Sequence, residues 1–409
     1  MTILDQPGDS RRPSAVVGGL GLVQILAWGT SYYLPAVLAA PMAAATGWSL
    51  SFVVGGFSLA LFVSGLAAPS VGRMIDSHGG RPVLAAGAVV LAAGLTALGL
   101  ATSLVVFFAA WLVIGLAMSA SLYDAAFSTL GRLYGSGARR AITALTLFGG
   151  FASTVCWPLS AYLVETLGWR GTCFTYAGFQ LAISLPIVLF LIPREAAKHR
   201  DAENPSASKA KLKLASRPER RSFLLLAAML MIGGTIATLF SVHLLTLLQA
   251  KGITLAAAVS LGALVGPSQV GARVFEMALG RHYHPLWTLA ASTALIATGT
   301  FLLFFDLPIT LAAIALYGAG NGIWSIAKGT VPLAIFGPAR YPVMMGQLAM
   351  PGLIAQSAAP FIGAVVLEHG GAQWTVALLV ALALANVALI AGLARINSAH
   401  PQRKPPDLS

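Results

Sequence analysis

Three charged side chains stand inside long apolar runs of this chain. Asp124 lies in Ser121-Leu122-Tyr123-Asp124-Ala125-Ala126-Phe127, Lys328 closes Asn321-Gly322-Ile323-Trp324-Ser325-Ile326-Ala327-Lys328, and Arg273 ends Gln269-Val270-Gly271-Ala272-Arg273. A charge near the centre of a bilayer costs about 2.5–3.5 kcal/mol on insertion scales, so each needs a reason to be there. A carboxylate and an ammonium at that depth can bind an anion, carry a proton or neutralise one another. On a functional reading, Lys328 attracts an anionic substrate, and Asp124 takes up a proton or acts as a counter-ion that the substrate displaces. On a structural reading, the two form an ion pair or reach the interface on their stems. Arg273 stands three residues before Glu276, pairing distance on one helix face, so it fits an anion ligand and a local salt bridge equally.

Polar and aromatic residues surround these charges in sequence. Gln24, Trp28, Thr30, Ser31, Tyr32 and Tyr33 precede Pro35, which predicts a kink there. Tyr32 and Tyr33 suit a binding site, and equally the aromatic belt at a membrane surface. His243 suits a proton relay, or a satisfied interior histidine with no acid near it in sequence. Asn321, Ser325, Gln269, Gln347 and Gln356 complete the set. No phosphate-binding loop, nucleophile elbow or paired-histidine metal motif occurs, so neither an enzyme nor an ATP-driven pump is expected. No cofactor or metal is expected either. The two cysteines, Cys156 and Cys173, lack metal-ligand spacing and read as small buried hydrophobes.

The elements that must hold these groups are twelve apolar runs, at 15–40, 50–71, 82–100, 104–131, 141–165, 171–192, 222–248, 253–277, 285–305, 308–336, 342–367 and 373–394. A helix of about 20 apolar residues crosses the hydrocarbon core of a bilayer. The chain is 57% hydrophobic and 9% charged, with a mean hydropathy of +0.82, whereas a soluble domain carries about a quarter charged residues. The runs fall six and six about the charged segment 193–221, which reads as a tether. The expected organisation is a tail at 1–14, a six-helix half at 15–192, the linker at 193–221, a second half at 222–394 and a tail at 395–409.

The net charge of +12 could suggest nucleic acid, but its distribution argues against that. Threading the runs through a bilayer places twenty-one of the 25 Lys and Arg on one side, leaving Arg170 and Lys251 on the other and Arg273 and Lys328 within spans. That bias predicts an inner or plasma membrane location with both termini cytoplasmic. The expected partners are the lipid bilayer, a small-molecule substrate and, as a coupling ion, protons; no nucleic acid is expected, and the unit acts as a monomer. A faint internal repeat supports two related halves: Pro69-Ser70-Val71-Gly72-Arg73 echoes Pro267-Ser268-Gln269-Val270-Gly271-Ala272-Arg273, and Gly115–Gly135 echoes Gly318–Gly337. Under that repeat Asp124 and Lys328 occupy almost equivalent positions.

After the second run comes Gly72-Arg73-Met74-Ile75-Asp76-Ser77-His78-Gly79-Gly80-Arg81-Pro82-Val83-Leu84. Gly72 permits close helix contact, Gly79 supplies a turn with positive φ, and Asp76 can accept from a helix N-terminus or an arginine. The segment resembles the loop motif of the major facilitator superfamily, whose recurring positions are here Gly72, Asp76, Gly79, Arg81 and Leu84. Ser77 and Gly80 stand where arginines are common, and the second-half copy (Gly271, Glu276, Arg281) is degraded. Trp48-Ser49, Gly168-Trp169-Arg170 and the Gln269–Arg273 stretch resemble the monocarboxylate and oxalate porter branch, in which an acid often stands at the place of Gln269.

The resemblance implies an all-α membrane protein of twelve transmembrane helices in two pseudo-symmetric six-helix bundles. It implies a cavity lined by spans one, four, seven and ten, and a latch at Gly72, Asp76, Gly79 and Arg81. The function so implied is secondary transport of a small organic solute, a monocarboxylate-like anion first. Efflux of drugs or metalloids is the alternative, and a non-transporting membrane sensor on the same scaffold is a further one.

Overall fold

The computed structural model describes residues 13–194, 217–280, 283–305 and 309–399, and among them helices form and no strand does. Most of each expected tail and most of the linker expected at 193–221 lie outside the described residues, as does Arg281. In the first half, α1 (Pro13–Gly29) and α2 (Leu34–Thr46) make span one, α3 (Leu50–His78) span two and α4 (Gly80–Gly99) span three. Span four is α5 (Leu104–Ser121) with α6 (Tyr123–Tyr134), and α7 (Ala138–Gly150), α8 (Ala152–Phe179) and α9 (Leu185–Leu191) carry spans five and six. In the second half, α10 (Arg217–Ala250) is span seven, α11 (Leu255–Gly262) with α12 (Val265–Leu279) span eight, α13 (Pro285–Leu302) span nine and α14 (Ile309–Phe336) span ten. The last helix, α15 (Tyr341–Ala399), holds spans eleven and twelve.

Among the described residues nine helices are long and apolar enough to cross a membrane. Two of these are helix pairs joined through a left-handed residue, Gly168 (φ 69°) and Gly371 (φ 73°). Only glycine takes that conformation without a Cβ clash, so the chain turns there with no loop. Span eight, which breaks between Gly262 and Val265, is not among the nine. Side-chain caps set several helix starts: Ser49 accepts from the Phe52 N–H at 3.3 Å, and His284 Nδ1 from the Leu286 N–H at 3.2 Å, with Pro285 opening α13.

The helices divide into two units: the described residues of 1–200 with Tyr341–Gly346, and those of 201–340 with 347–409. Lipid tails offer no hydrophobic drive for helix pairing, so close backbone contact through small residues must supply it. In the first unit a Cβ on Gly115 of α5 would stand 2.5 Å from the Ala60 carbonyl oxygen of α3. The segment Tyr341–Gly346 seats in the same way: a Cβ on Gly72 would strike the Pro342 carbonyl oxygen, one on Gly346 the Ala68 carbonyl oxygen, and one on Gly131 the Tyr341 ring. In the second unit a Cβ on Gly322 of α14 would stand 2.5 Å from the Gln269 carbonyl oxygen of α12, and Ser292 donates to the Gly320 carbonyl oxygen at 2.8 Å.

Candidate functional site

Spans one and four are both interrupted, and the interruptions meet. Span one leaves the helix between Gly29 and Leu34, where the Tyr33 N–H reaches the Trp28 carbonyl at 2.9 Å, and Pro35 opens α2. This is the kink expected at Pro35, placed just before it because proline suits the first turn of a helix. Span four breaks at Leu122, whose ψ of −171° ends α5 and starts α6 without a side-chain cap. Gln24 bridges the two breaks. Its amide donates to the Ser121 carbonyl oxygen at 2.6 Å and its carbonyl accepts from the Trp28 indole N–H at 3.2 Å.

The turn after Gly29 gathers aromatic rings. Trp28 lies 4.9 Å from Tyr32, 5.9 Å from Tyr33 and 5.0 Å from Tyr123 of α6, centroid to centroid. Tyr32 meets Phe57 of α3 edge-on at 5.1 Å, and Tyr33 meets Trp157 of α8 at 6.1 Å. Tyr123 stacks on Phe127 at 4.9 Å and donates its hydroxyl to the Thr146 carbonyl at 3.3 Å. Trp28, Tyr32, Tyr33 and Phe57 are half-buried, whereas Gln24 and Tyr123 are buried.

Asp124 occupies the first turn of α6, where a carboxylate is favoured by the helix dipole. With Ser119, Ser128, Gly72 and Gly346 it lines a cavity of about 10 Å³, room for one water. Ser119 Oγ is buried there with no hydrogen-bond partner among the described residues, while Ser128 donates to the Asp124 carbonyl at 2.6 Å. Two turns on, Arg132 donates to the Ile75 carbonyl at 2.9 Å and to that of Asp76, fastening α6 to the end of α3. Gly79 (φ 87°) forms the expected turn from α3 into α4, with Arg81 in the first turn of α4. Asp76 and Arg81 are both half-buried.

In the second unit, Arg273 is 5% exposed and bound on two sides. Its Nε donates to the Gly322 carbonyl at 3.2 Å, and its terminal nitrogen to Gln269 Oε1 at 3.4 Å. Glu276, its neighbour one turn on, accepts from Thr288 Oγ1 at 2.6 Å. The arginine thus joins spans eight and ten beside Asn321. Along α14 the half-buried Asn321, Ser325 and Lys328 follow one another, Ser325 donating to the Gly322 carbonyl at 2.7 Å. His243 joins span seven to span eleven, its Nε2 lying 3.2 Å from the Pro360 carbonyl oxygen and its ring against Gly363. A carbonyl accepts only, so Nε2 carries the proton. Of the residues expected at the site, Tyr32, Tyr33, Asp124 and the loop at Gly72, Asp76, Gly79 and Arg81 belong to the first unit. Lys328, Arg273, Gln269, Asn321 and His243 belong to the second.

A family model described as Major Facilitator Superfamily matches residues 20–327. The chain belongs to the major facilitator superfamily. The match is to the superfamily as a whole and does not reach the level of the porter branch. No curated protein matches the chain. The fold is similar to that of the human organic anion transporter MFSD10 (TETRAN), with TM-score 0.69 and 19% identity, covering 94% of this chain and 100% of the other. It is also similar to a superfamily transporter, FucP, in the outward conformation, with TM-score 0.73 and 17% identity over 93% and 97% of the two chains. A third is the proton:xylose symporter XylE bound to 6-bromo-6-deoxy-D-glucose, with TM-score 0.68 and 12% identity over 92% and 94%.

Several residues that shape the site in this superfamily member carry no motif. Tyr123 and Ser119 gain their places from the break at Leu122, where neither glycine nor proline marks the chain. The clue in sequence was the density of Ser119, Ser121 and Ser128 around an acid in an apolar run. Tyr341 reads as an ordinary helix start, yet its ring fills the space above Gly131.

Proposed function

We propose that this superfamily member is a secondary transporter that moves a small organic anion of monocarboxylate type across the membrane by alternating access. The observation that carries the reading is the row Asn321, Ser325, Lys328 on one apolar spanning helix: an ammonium with a neighbouring amide and hydroxyl suits a carboxylate. Arg273 tunes that row from behind, through the Gly322 carbonyl that Ser325 also uses. Asp124 serves as proton acceptor or counter-ion, and the loop Gly72–Arg81 with Arg132 acts as the latch. In this reading the protein works as a monomer in the inner membrane with both termini cytoplasmic. The solved neighbour described as an organic anion transporter is in keeping with anionic cargo. Metalloid efflux draws less support, because Cys156 and Cys173 are both buried and present no exposed thiol.

The test is uptake of a labelled carboxylate panel into proteoliposomes, with and without a pH gradient, by wild type, Lys328→Ala and Asp124→Asn. Saturable uptake that falls at least about tenfold in Lys328→Ala is expected, as loss of one charged hydrogen bond implies. Loss of gradient dependence in Asp124→Asn with exchange retained would assign it the proton. If wild type moves no carboxylate, the anion reading is wrong and cationic or neutral toxic solutes come next.

A further inference from the structure

We infer that the first unit carries a phospholipid on its flank, with the phosphate held by Arg170 and one acyl chain lying in a groove between spans three and six. Nothing in this depends on the cargo. Gly168-Trp169-Arg170 takes no part in the transport proposed above. Gly168 (φ 69°) turns the chain from span five into span six, so Arg170 stands at the end of a span, at headgroup depth. Its Nη1 donates to the Gly99 carbonyl at 2.8 Å, and its guanidinium carbon lies 4.2 Å from the centre of the buried Trp169 ring. Holding the end of α4 in this way uses one N–H of five. Among the described residues no carboxylate pairs with this half-buried group. Phosphate suits it, because a guanidinium fork meets phosphate through two parallel N–H bonds.

A groove of about 440 Å³ starts beside that arginine. Along α4 it runs from Leu100, next to Gly99, back to Val89, and Leu181 forms its other wall. Eleven residues of helix rise about 16 Å, and half of a hydrocarbon core is about 15 Å. The groove is therefore as deep as one leaflet, and its outer end is the one Arg170 occupies. Its α4 side is Ala92, Ala93, Thr96 and Ala97, small residues of the kind that let a neighbour approach closely. Thr96 spends its hydroxyl on the Ala92 carbonyl at 2.8 Å, so the lining is apolar. On the facing span, Gln180–Ser184 form a π-helical turn in which Gln180 points inward to Thr30 at 2.8 Å and Leu181 is exposed. One turn before Leu181, a Cβ on Gly178 would meet open space.

A slender apolar chain fits such a groove, and a second copy of this protein fits it poorly. Two copies in one membrane share a direction, so they pair about an axis along the bilayer normal. Groove against groove, they would bring two Arg170 guanidiniums together at the same depth, where like charges repel. A small free anion would use the arginine and leave the groove empty. A phospholipid meets both, since its phosphate lies at the surface and its chain directly beneath.

The experiment is native mass spectrometry of the purified full chain, titrated in detergent with dioleoyl phosphatidylglycerol. Wild type is compared with Arg170→Gln, Arg170→Lys, Ala93→Trp and Lys251→Gln. Ala93 is exposed, so a tryptophan there fills the groove without entering the core. One tight lipid per chain is expected in wild type. Arg170→Gln should weaken it about tenfold, as loss of one charged hydrogen bond implies, with Arg170→Lys between the two. Ala93→Trp should weaken it at least as much as Arg170→Gln. Lys251→Gln, at the other basic residue threaded to that side, should leave it unchanged. Equal binding by wild type and Arg170→Gln would overturn the inference, and so would an equal loss in Lys251→Gln, which marks diffuse charge. A loss in Arg170→Gln with none in Ala93→Trp would take the chain out of the groove and overturn it. A wild-type dimer that Ala93→Trp separates would give the groove to a second copy and overturn it too.

Discussion

His243 shows how one side chain decides between two roles. As a relay it would take up and release a proton during transport. Its geometry fits attachment better: Nε2 meets the Pro360 carbonyl at 3.2 Å, and Gly363 leaves room for the ring. A hydrogen bond between membrane helices contributes about 0.6 kcal/mol on average and up to about 1.7. His243→Leu should accordingly lower the stability of the purified protein by about 1 kcal/mol, seen as a lower melting temperature in detergent. The pH profile of transport should keep its shape. A shifted or flattened profile would restore the relay. The sequence could name His243 but not choose for it, because its partner lies 117 residues away on another helix. Arg273 is similar. Its spacing to Glu276 was plain, whereas its bond to the Gly322 carbonyl, 49 residues away on another helix, was not.

Helices of this chain were legible wherever punctuation marks them. Pro35, Gly79 and Pro285 open helices or turns at the positions their chemistry demands. The break in span four was not legible. Leu122 is an ordinary helix former, and only packing explains its extended ψ: Gln24 takes the Ser121 carbonyl and Tyr123 is drawn onto Trp28. Span eight likewise splits at Gly262 within an apolar run. Breaking span four has a dynamic consequence. The first amides of α6 have no acceptor within their own helix, whereas those in the body of α5 do. If the break borders water, hydrogen exchange at residues 123–125 should run at least about tenfold faster than at Ile114–Met118, whose amides open only by sub-global unfolding. Equal protection of the two stretches would mean that the break is sealed in protein.

At the scale of the whole molecule, fold and cargo are separate questions, since one architecture carries many solutes. Orientation, however, can be proposed from charge alone. Twelve crossings return the chain to the side on which it began, so the termini share a side. Threading then places twenty-one of the 25 Lys and Arg there, nine of them within 193–221. Short basic segments resist translocation, so we propose that side as the cytoplasmic one. The connection at Ala101–Ser103 between α4 and α5 falls opposite, with only Arg170 and Lys251 as basic companions. Expressed in a bacterial inner membrane, a fluorescent protein fused after Ser409 should therefore glow, and alkaline phosphatase inserted at Thr102 should be active. The crossing number and the charge bias are tested separately. Reporters showing the two termini on opposite sides would refute the even count. Termini together but outside would refute the charge argument, and would turn the Gly72–Arg81 loop to the outer face, where the latch proposed for it would have to close the opposite end of the pathway.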